Sequence, residues 1–182
     1  MSLREPLEAS DLLDEFPRSG WLKLSQGERT SRLLLARHNG FQTRIALLMK
    51  ASEDALKGKE SPPDFTYLLA RELHYFVPLL EGHHQAETAR LYPRLIEQYP
   101  PLRDKFGILE QDHTQLDSAL NALSQVPQYL MGQASTLARF NQEVERLCER
   151  LYRFQGLLER HLEDEEDLVI PILLKNSLSL DL

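Results

Sequence analysis

Apolar residues recur along the chain at intervals of three and four, which is the spacing of an amphipathic helix. They form four stripes, which begin near Leu34, Phe76, Leu102 and Val144 and are separated by segments rich in proline, glycine or polar residues. The first helix is predicted over about residues 26–57. The other three stripes end near Leu95, Leu123 and Ile172, and the fourth helix is predicted over about 135–175. Glycine and β-branched residues are too few for a sheet protein. Four long helices joined by modest connections predict an all-α, up-down-up-down four-helix bundle.

The domain boundaries follow from where this helical pattern begins and ends. Residues 26–178 are assigned to the bundle, and residues 1–25 to an N-terminal extension. Trp21 is expected to anchor the extension against the bundle. Pro78 lies inside the second stripe, where proline removes a backbone hydrogen bond and clashes with the preceding turn. The second helix is therefore expected either to kink there or to start anew before His83.

One histidine interrupts each of the four apolar stripes. In the second and fourth stripes a glutamate follows four residues later, giving His83 with Glu87 and His161 with Glu165. Positions i and i+4 of a helix lie about 40° apart around the axis and about 6 Å apart along it. Each pair therefore projects an imidazole and a carboxylate in the same direction.

The two pairs belong to a longer internal repeat. When "HHQAETARLYPRL" is aligned from His83 with "HLEDEEDLVIPIL" from His161, Glu87 falls on Glu165 and Pro93 falls on Pro171. His83 lies 45 positions after His38 in the first half, and His161 lies 48 positions after His113 in the second half. This agreement indicates a duplication that preserves the polar positions in both halves.

Burying these polar residues inside a bundle would destabilise the fold, because each buried group without a partner costs about 1–3 kcal/mol. A bound metal offsets that cost, since neutral imidazole and ionised carboxylate are good ligands for iron, manganese and zinc. No catalytic side chain is predicted apart from this set. The candidate metal ligands are His38, His83, Glu87, His113, His161 and Glu165.

Simpler interpretations exist for each part of the pattern. A single histidine such as His38 or His113 is more often a hydrogen-bonded core residue, and the acidic run at 163–167 is typical of a solvated face. His84 lies about 100° around the helix from His83, so it is expected to support a ligand or to be exposed. For Tyr92, packing at a helix interface is favoured over a contact with a bound ligand.

Composition and charge exclude some kinds of partner and indicate where the protein is located. The formal net charge is −7, and no basic stripe interrupts the mixed surface, which excludes nucleic acid and anionic membranes as partners. Cys148 is the only cysteine, which suits a reducing compartment. The charged first residues lack the apolar segment of a secretion signal, and no run is long enough to cross a membrane. The expected location is the cytoplasm.

Four motifs resemble those of the hemerythrin-like, or HHE cation-binding, domains. They are "ARHNGF", "HHQAETARLYP", "EQDHTQL" and "HLEDEEDLVIP", and the resemblance spans about residues 28–175. It implies a four-helix bundle with two non-haem iron ions, bridged by carboxylates and by an oxo or hydroxo group. In the oxygen carriers of the family a histidine stands where this chain has Asp117, and an aspartate stands where it has Glu166. The remaining set of four histidines and two glutamates is similar to that of bacterial di-iron proteins that repair iron–sulfur clusters.

The resemblance implies binding or sensing of a small diatomic ligand, O₂ or NO, in the response to oxidative or nitrosative stress. An alternative is a di-iron enzyme that reduces NO or peroxide or oxidises ferrous iron. Another is an iron donor for cluster repair, which would require an iron–sulfur or signalling protein as its partner. A helical interaction module without metal is the remaining alternative, and whether the chain is an enzyme stays open.

Overall fold

The computed structural model describes residues 10–21, 23, 29–133 and 136–176, and these residues form helices and turns without a strand. The α-helices are α1 (Ser10–Glu15), α2 (Arg18–Trp21), α3 (Arg29–Leu56), α4 (Pro62–Ala86), α5 (Tyr92–Gln98), α6 (Arg103–Ser124), α7 (Val126–Gln133) and α8 (Leu137–Lys175). A π-helical turn (Glu87–Leu91) and a 3₁₀ turn (Pro100–Leu102) flank α5. The all-α class with four long helices, α3, α4, α6 and α8, is confirmed. The boundary between residues 25 and 26, the end at 178 and the helix start at Ser135 lie outside the described residues.

Helix α4 is continuous through Pro78, so a new helix does not start before His83. Its beginning follows from local chemistry, because the hydroxyl of Ser61 accepts a hydrogen bond from the backbone N–H of Asp64 at 3.3 Å. Pro62 opens the helix, where a missing N–H costs nothing. Pro171 likewise lies inside α8, four residues before that helix ends.

The chain divides into two compact units. The first comprises Met1–Asn39, His83–His113 and Glu159–Leu182, and the second comprises Gly40–Gly82 and Thr114–Leu158. The core of the first unit is aliphatic and aromatic, and Trp21 is buried in it as expected. The indole N–H of Trp21 donates a hydrogen bond to the carbonyl of Phe16 at 3.1 Å.

The second unit has a core of its own, in which aromatic rings meet at edge-on or tilted angles. The ring of Phe76 lies 6.1 Å from that of Phe41 and 6.2 Å from that of Phe154, and Phe65 meets Phe140 at 5.9 Å. Such geometries are favourable for aromatic pairs. In neither unit do the described residues include a helix that is both long enough and apolar enough to span a bilayer.

Candidate metal centre

All six predicted ligands lie in the first unit, and their side chains are buried. Their exposed fractions range from 0% for Glu87, His161 and Glu165 to 5% for His113. The long helices supply five of them, His38 from α3, His83 from α4, His113 from α6, and His161 with Glu165 from α8, and the π-helical turn after α4 supplies Glu87. The helical spacing therefore brings the predicted set together.

The donor atoms form two groups rather than one. The first group contains His38, His83, Glu87 and Glu165, and the second contains His84, His113 and His161. Within each group the donor atoms lie within 4.8 Å of one another. The first group combines imidazole with carboxylate and the second contains imidazole alone, and iron, manganese and zinc accept both kinds of donor.

The first group is held by close contacts between its histidines and its carboxylates. The Nε2 atoms of His38 and His83 lie 3.3 Å apart. His83 Nε2 lies 2.9 Å from Oε1 of Glu87, in an orientation that does not suit a hydrogen bond. His38 Nε2 lies 3.2 Å from Oε2 of Glu165. Four donor atoms thus point at one another instead of at separate partners.

The second group consists of three imidazole rings packed against one another. The rings of His84 and His113 stack with their centroids 4.1 Å apart and an angle of 11° between their planes. His161 meets His113 edge-on at 4.7 Å and His84 edge-on at 5.6 Å. Among the residues that the structure describes, neither ring nitrogen of His161 has a hydrogen-bond partner.

Glu87 connects the two groups. Its Oε1 atom faces His83 of the first group, and its Oε2 atom lies 3.5 Å from Nε2 of His113 in the second. Tyr92 makes a second connection, because its hydroxyl donates a hydrogen bond to Oε1 of Glu165 at 3.1 Å and lies 3.3 Å from Nε2 of His113. The expectation that Tyr92 only packs is therefore incomplete: its ring belongs to the core, but its hydroxyl lies among the donor atoms.

The π-helical turn explains how Tyr92 reaches this place. In a regular α-helix Tyr92 would lie about 140° around the axis from Glu87. Here the backbone N–H of Tyr92 donates to the carbonyl of Glu87, five residues earlier, which is the π-helical pattern. Tyr92 therefore lies one turn beyond Glu87 on the same side. Pro93, which lacks an N–H, is the second residue after this turn.

A second layer of side chains orients the histidines. The Nδ1–H of His38 donates to Oε1 of Glu166 at 2.8 Å, and Nδ1 of His113 lies 3.2 Å from the hydroxyl of Thr88. In both rings this leaves Nε2 directed at the donor groups. Arg18 of α2 reinforces the first contact, since its guanidinium lies 3.7 Å from Glu166. Partners of this kind fix the tautomer and the orientation of a metal-binding imidazole.

The environment shifts the proton affinities in opposite directions. Burial opposes a charge on His38, but the adjacent carboxylates of Glu165 and Glu166 raise its pKa to about 9. Burial lowers the pKa of His83 to about 3 and that of His161 well below its ordinary value. Burial, and then repulsion from Glu165, raise the pKa of Glu87 well above its ordinary value. Burial would raise the pKa of Glu165 as well, but His38 lowers it.

These residues fit a bound metal. Glu87 and His161 have exposed fractions of 0%, and in the described part of the chain neither the carboxylate oxygens of Glu87 nor the ring nitrogens of His161 have hydrogen-bond partners. Leaving so many polar atoms unpaired would cost several kcal/mol at about 1–3 kcal/mol for each group. A metal that they coordinate removes that cost. A comparison with family models agrees, because the hemerythrin HHE cation-binding domain matches residues 29–173.

The chain belongs to the hemerythrin HHE cation-binding family. The match covers all the donor residues of both groups. Comparisons with curated proteins and with solved structures give no match. Membership in the HHE family makes the chain a metal-binding protein, and iron is the usual metal of that family.

His84 is the residue that sequence reasoning left out of the centre. Its exposed fraction is 2%, so of the two alternatives expected for it, a supporting role or an exposed side chain, the exposed one is wrong, and its ring lies against His113 and His161. The angle of about 100° that separates it from His83 on the helix was the reason to set it aside. The same angle directs His83 at His38 and His84 at His113, in different groups. The adjacent pair "HH" on an inward helix face was the available signal.

We expect the replacement of Glu166 by glutamine to weaken iron binding. Glutamine keeps the shape and one acceptor oxygen but removes the charge that holds Nδ1–H of His38. Loss of such a partner weakens metal binding by about 10- to 100-fold. The measurement is an anaerobic titration with ferrous iron against a competing chelator. Glu163→Gln is the matched control, because Glu163 is an exposed glutamate of the same helix. Equal affinity in Glu166→Gln and the wild type would contradict the orienting role.

Proposed function

We propose that the protein holds two iron ions, one at each donor group, and binds or senses O₂ or NO there in the response to oxidative or nitrosative stress. The observation that carries this proposal is the position of Glu87, whose two carboxylate oxygens face histidines of different groups. A single carboxylate that serves both groups supports a pair of neighbouring metals rather than two independent sites. Ferrous iron would supply the electrons and the coordination position that such a ligand requires.

The burial of the centre limits the ligand to a very small molecule. The seven donor residues are at most 5% exposed, and aliphatic and aromatic side chains such as Leu91, Phe106 and Leu109 form the core of the same unit. A charged or large substrate would have to displace this packing, which protein interiors resist. O₂ and NO are small and uncharged, so local fluctuations suffice to admit them.

The test is anaerobic reconstitution with ferrous iron, followed by metal analysis and absorption spectra on addition of O₂ and then of NO. About two irons per chain and a ligand-dependent spectrum would support the proposal. A spectrum that reverts when the gas is removed indicates binding, whereas continuing consumption of NO or peroxide indicates an enzyme. A chain that takes up no iron, or takes it up equally well in the His38→Ala and Glu165→Ala variants, would contradict it.

Tyr92 supplies a hydrogen-bond donor at the centre. We expect Tyr92→Phe to keep about two irons per chain, because the hydroxyl is not needed to assemble the donor groups. The O₂ or NO complex should change, since the donor facing Glu165 and His113 is lost and the local polarity falls. The measurement is the dissociation rate of NO together with the vibrational frequency of the N–O bond. Tyr99→Phe, in the same unit, is the control, and identical values in all three proteins would assign Tyr92 to packing alone.

A further inference from the structure

We propose that His84 is a metal ligand, the third histidine of the position formed with His113 and His161. This inference rests on the proposed two-iron centre and deepens it, because it makes the two metal positions chemically different. The first position has two imidazoles and two carboxylates, and the second has three imidazoles.

The place of His84 in the fold supports a ligand. A donor nitrogen of His84 lies within 4.8 Å of donor nitrogens of both His113 and His161. The rings of His84 and His161 also lie in contact, with their centroids 5.6 Å apart and an angle of 82° between their planes. Stacking on His113 alone would account for the burial of His84 but not for the convergence of nitrogens from three helical segments.

The internal repeat provides a comparison within the same chain. His83 aligns with His161, so the position after it, His84, aligns with Leu162. Leu162 is 0% exposed, which shows that an apolar side chain serves the packing at that point of the repeat. The first half carries an imidazole instead, although an apolar side chain satisfies the packing at this point of the repeat. Metal binding by His84 explains this difference, because leucine at the aligned position of the second half cannot bind a metal.

The different donor sets predict different metal preferences. Imidazole suits iron, zinc, copper and nickel, whereas carboxylate also suits manganese and magnesium. Iron binding at the position with three histidines should therefore depend on His84. Iron binding at the position with Glu87 and Glu165 should not. Loss of His84 should remove one metal and leave the other.

The experiment compares His84→Leu, which copies the residue of the second repeat, with His84→Asn, which keeps a polar side chain. His74→Ala is the control, since His74 is exposed and is the only histidine outside the two groups. Each protein is reconstituted anaerobically with ⁵⁷Fe²⁺ for metal analysis and Mössbauer spectra. Circular dichroism of the metal-free proteins establishes that each variant is folded.

The expected result is a fall from about two irons per chain in the wild type and in His74→Ala to about one in both His84 variants. The magnetic coupling between the irons should disappear with the second ion. A wild type that binds two irons, together with His84 variants that also bind two with an unchanged spectrum, would overturn the ligand role alone. A wild type that fails to bind two irons would overturn this inference together with the proposed function on which it rests.

Discussion

Replacing Glu87 with glutamine is expected to abolish the two-iron centre while the metal-free protein stays folded and about as stable as before. The reason is that burial and the neighbouring Glu165 favour the protonated form of Glu87 and raise its pKa. Glutamine has nearly the shape of a protonated carboxyl and carries no charge. Below the raised pKa of Glu87, the free energy of unfolding of the metal-free protein should therefore change by less than about 1 kcal/mol.

The effect on the metal-loaded protein should be much larger. Glutamine cannot offer two anionic oxygens, so the connection from His83 to His113 is lost. A ligand present at 100 times its dissociation constant stabilises a protein by about 2.7 kcal/mol. The wild type should gain a stabilisation of this order from ferrous iron, and Glu87→Gln should gain little. The measurement is thermal unfolding with and without iron, combined with the iron content.

The matched control is Glu97→Gln, which makes the same change of charge at an exposed glutamate of α5. It should bind iron and gain stability as the wild type does. If Glu87→Gln retains two irons and the full gain in stability, Glu87 does not join the two positions. If its metal-free form is several kcal/mol less stable, the ionised carboxylate of Glu87 stabilises the fold even without metal.

Much of the centre could be predicted from the sequence because helix geometry determines it. A histidine and a glutamate four residues apart must project together, and an apolar stripe must face the core. These two rules, applied to both halves of the repeat, predicted the six residues that the structure brings into one unit. Helices α3, α6 and α8 followed from the same stripes with ends that differ by a few residues, but α4 begins at Pro62, well before the start of the second stripe near Phe76.

The remaining features of the centre depend on a local change of helix type and on contacts between helices. The spacing of residues along the sequence shows neither. The π-helical turn at Glu87–Leu91 changes the direction of Tyr92, and spacing based on a regular α-helix places that hydroxyl away from the centre. The repeat makes Glu87 and Glu165 equivalent, yet only Glu165 lies against His38, so their pKa values shift in opposite directions. His84 was missed because its partners come from α6 and α8, and their approach to α4 is a tertiary feature.

The affinity for ferrous iron is expected to rise steeply with pH, because the metal must displace protons from two of its ligands. His38 holds a proton up to a pKa of about 9, and Glu87 holds one well above the ordinary carboxyl range. His83 and His161 are neutral because burial lowers their pKa values, and Glu165 is ionised because His38 lowers its pKa. These three ligands release no proton when a metal binds.

By mass action, a proton released on metal binding makes the affinity for iron rise with pH. The rise is about tenfold per pH unit for each proton released. Below the raised pKa of Glu87, where His38 and Glu87 both carry protons, the affinity should increase about 100-fold per pH unit. Once Glu87 has ionised, the slope should fall to about tenfold per unit. It should vanish above pH about 9, where His38 has lost its proton.

Anaerobic calorimetry in buffers of different ionisation enthalpy counts the released protons directly. Glu166→Gln provides an internal control, since the loss of that carboxylate lowers the pKa of His38 and should end its contribution at a lower pH. Iron that still binds to Glu87→Gln should release one proton fewer than iron that binds to the wild type. An affinity that does not change with pH would mean that iron displaces no proton from Nε2 of His38 or from Glu87, and it would contradict their roles as ligands. Proton counts in these two variants separate the two contributions, because only a ligand exchanges its proton for the metal.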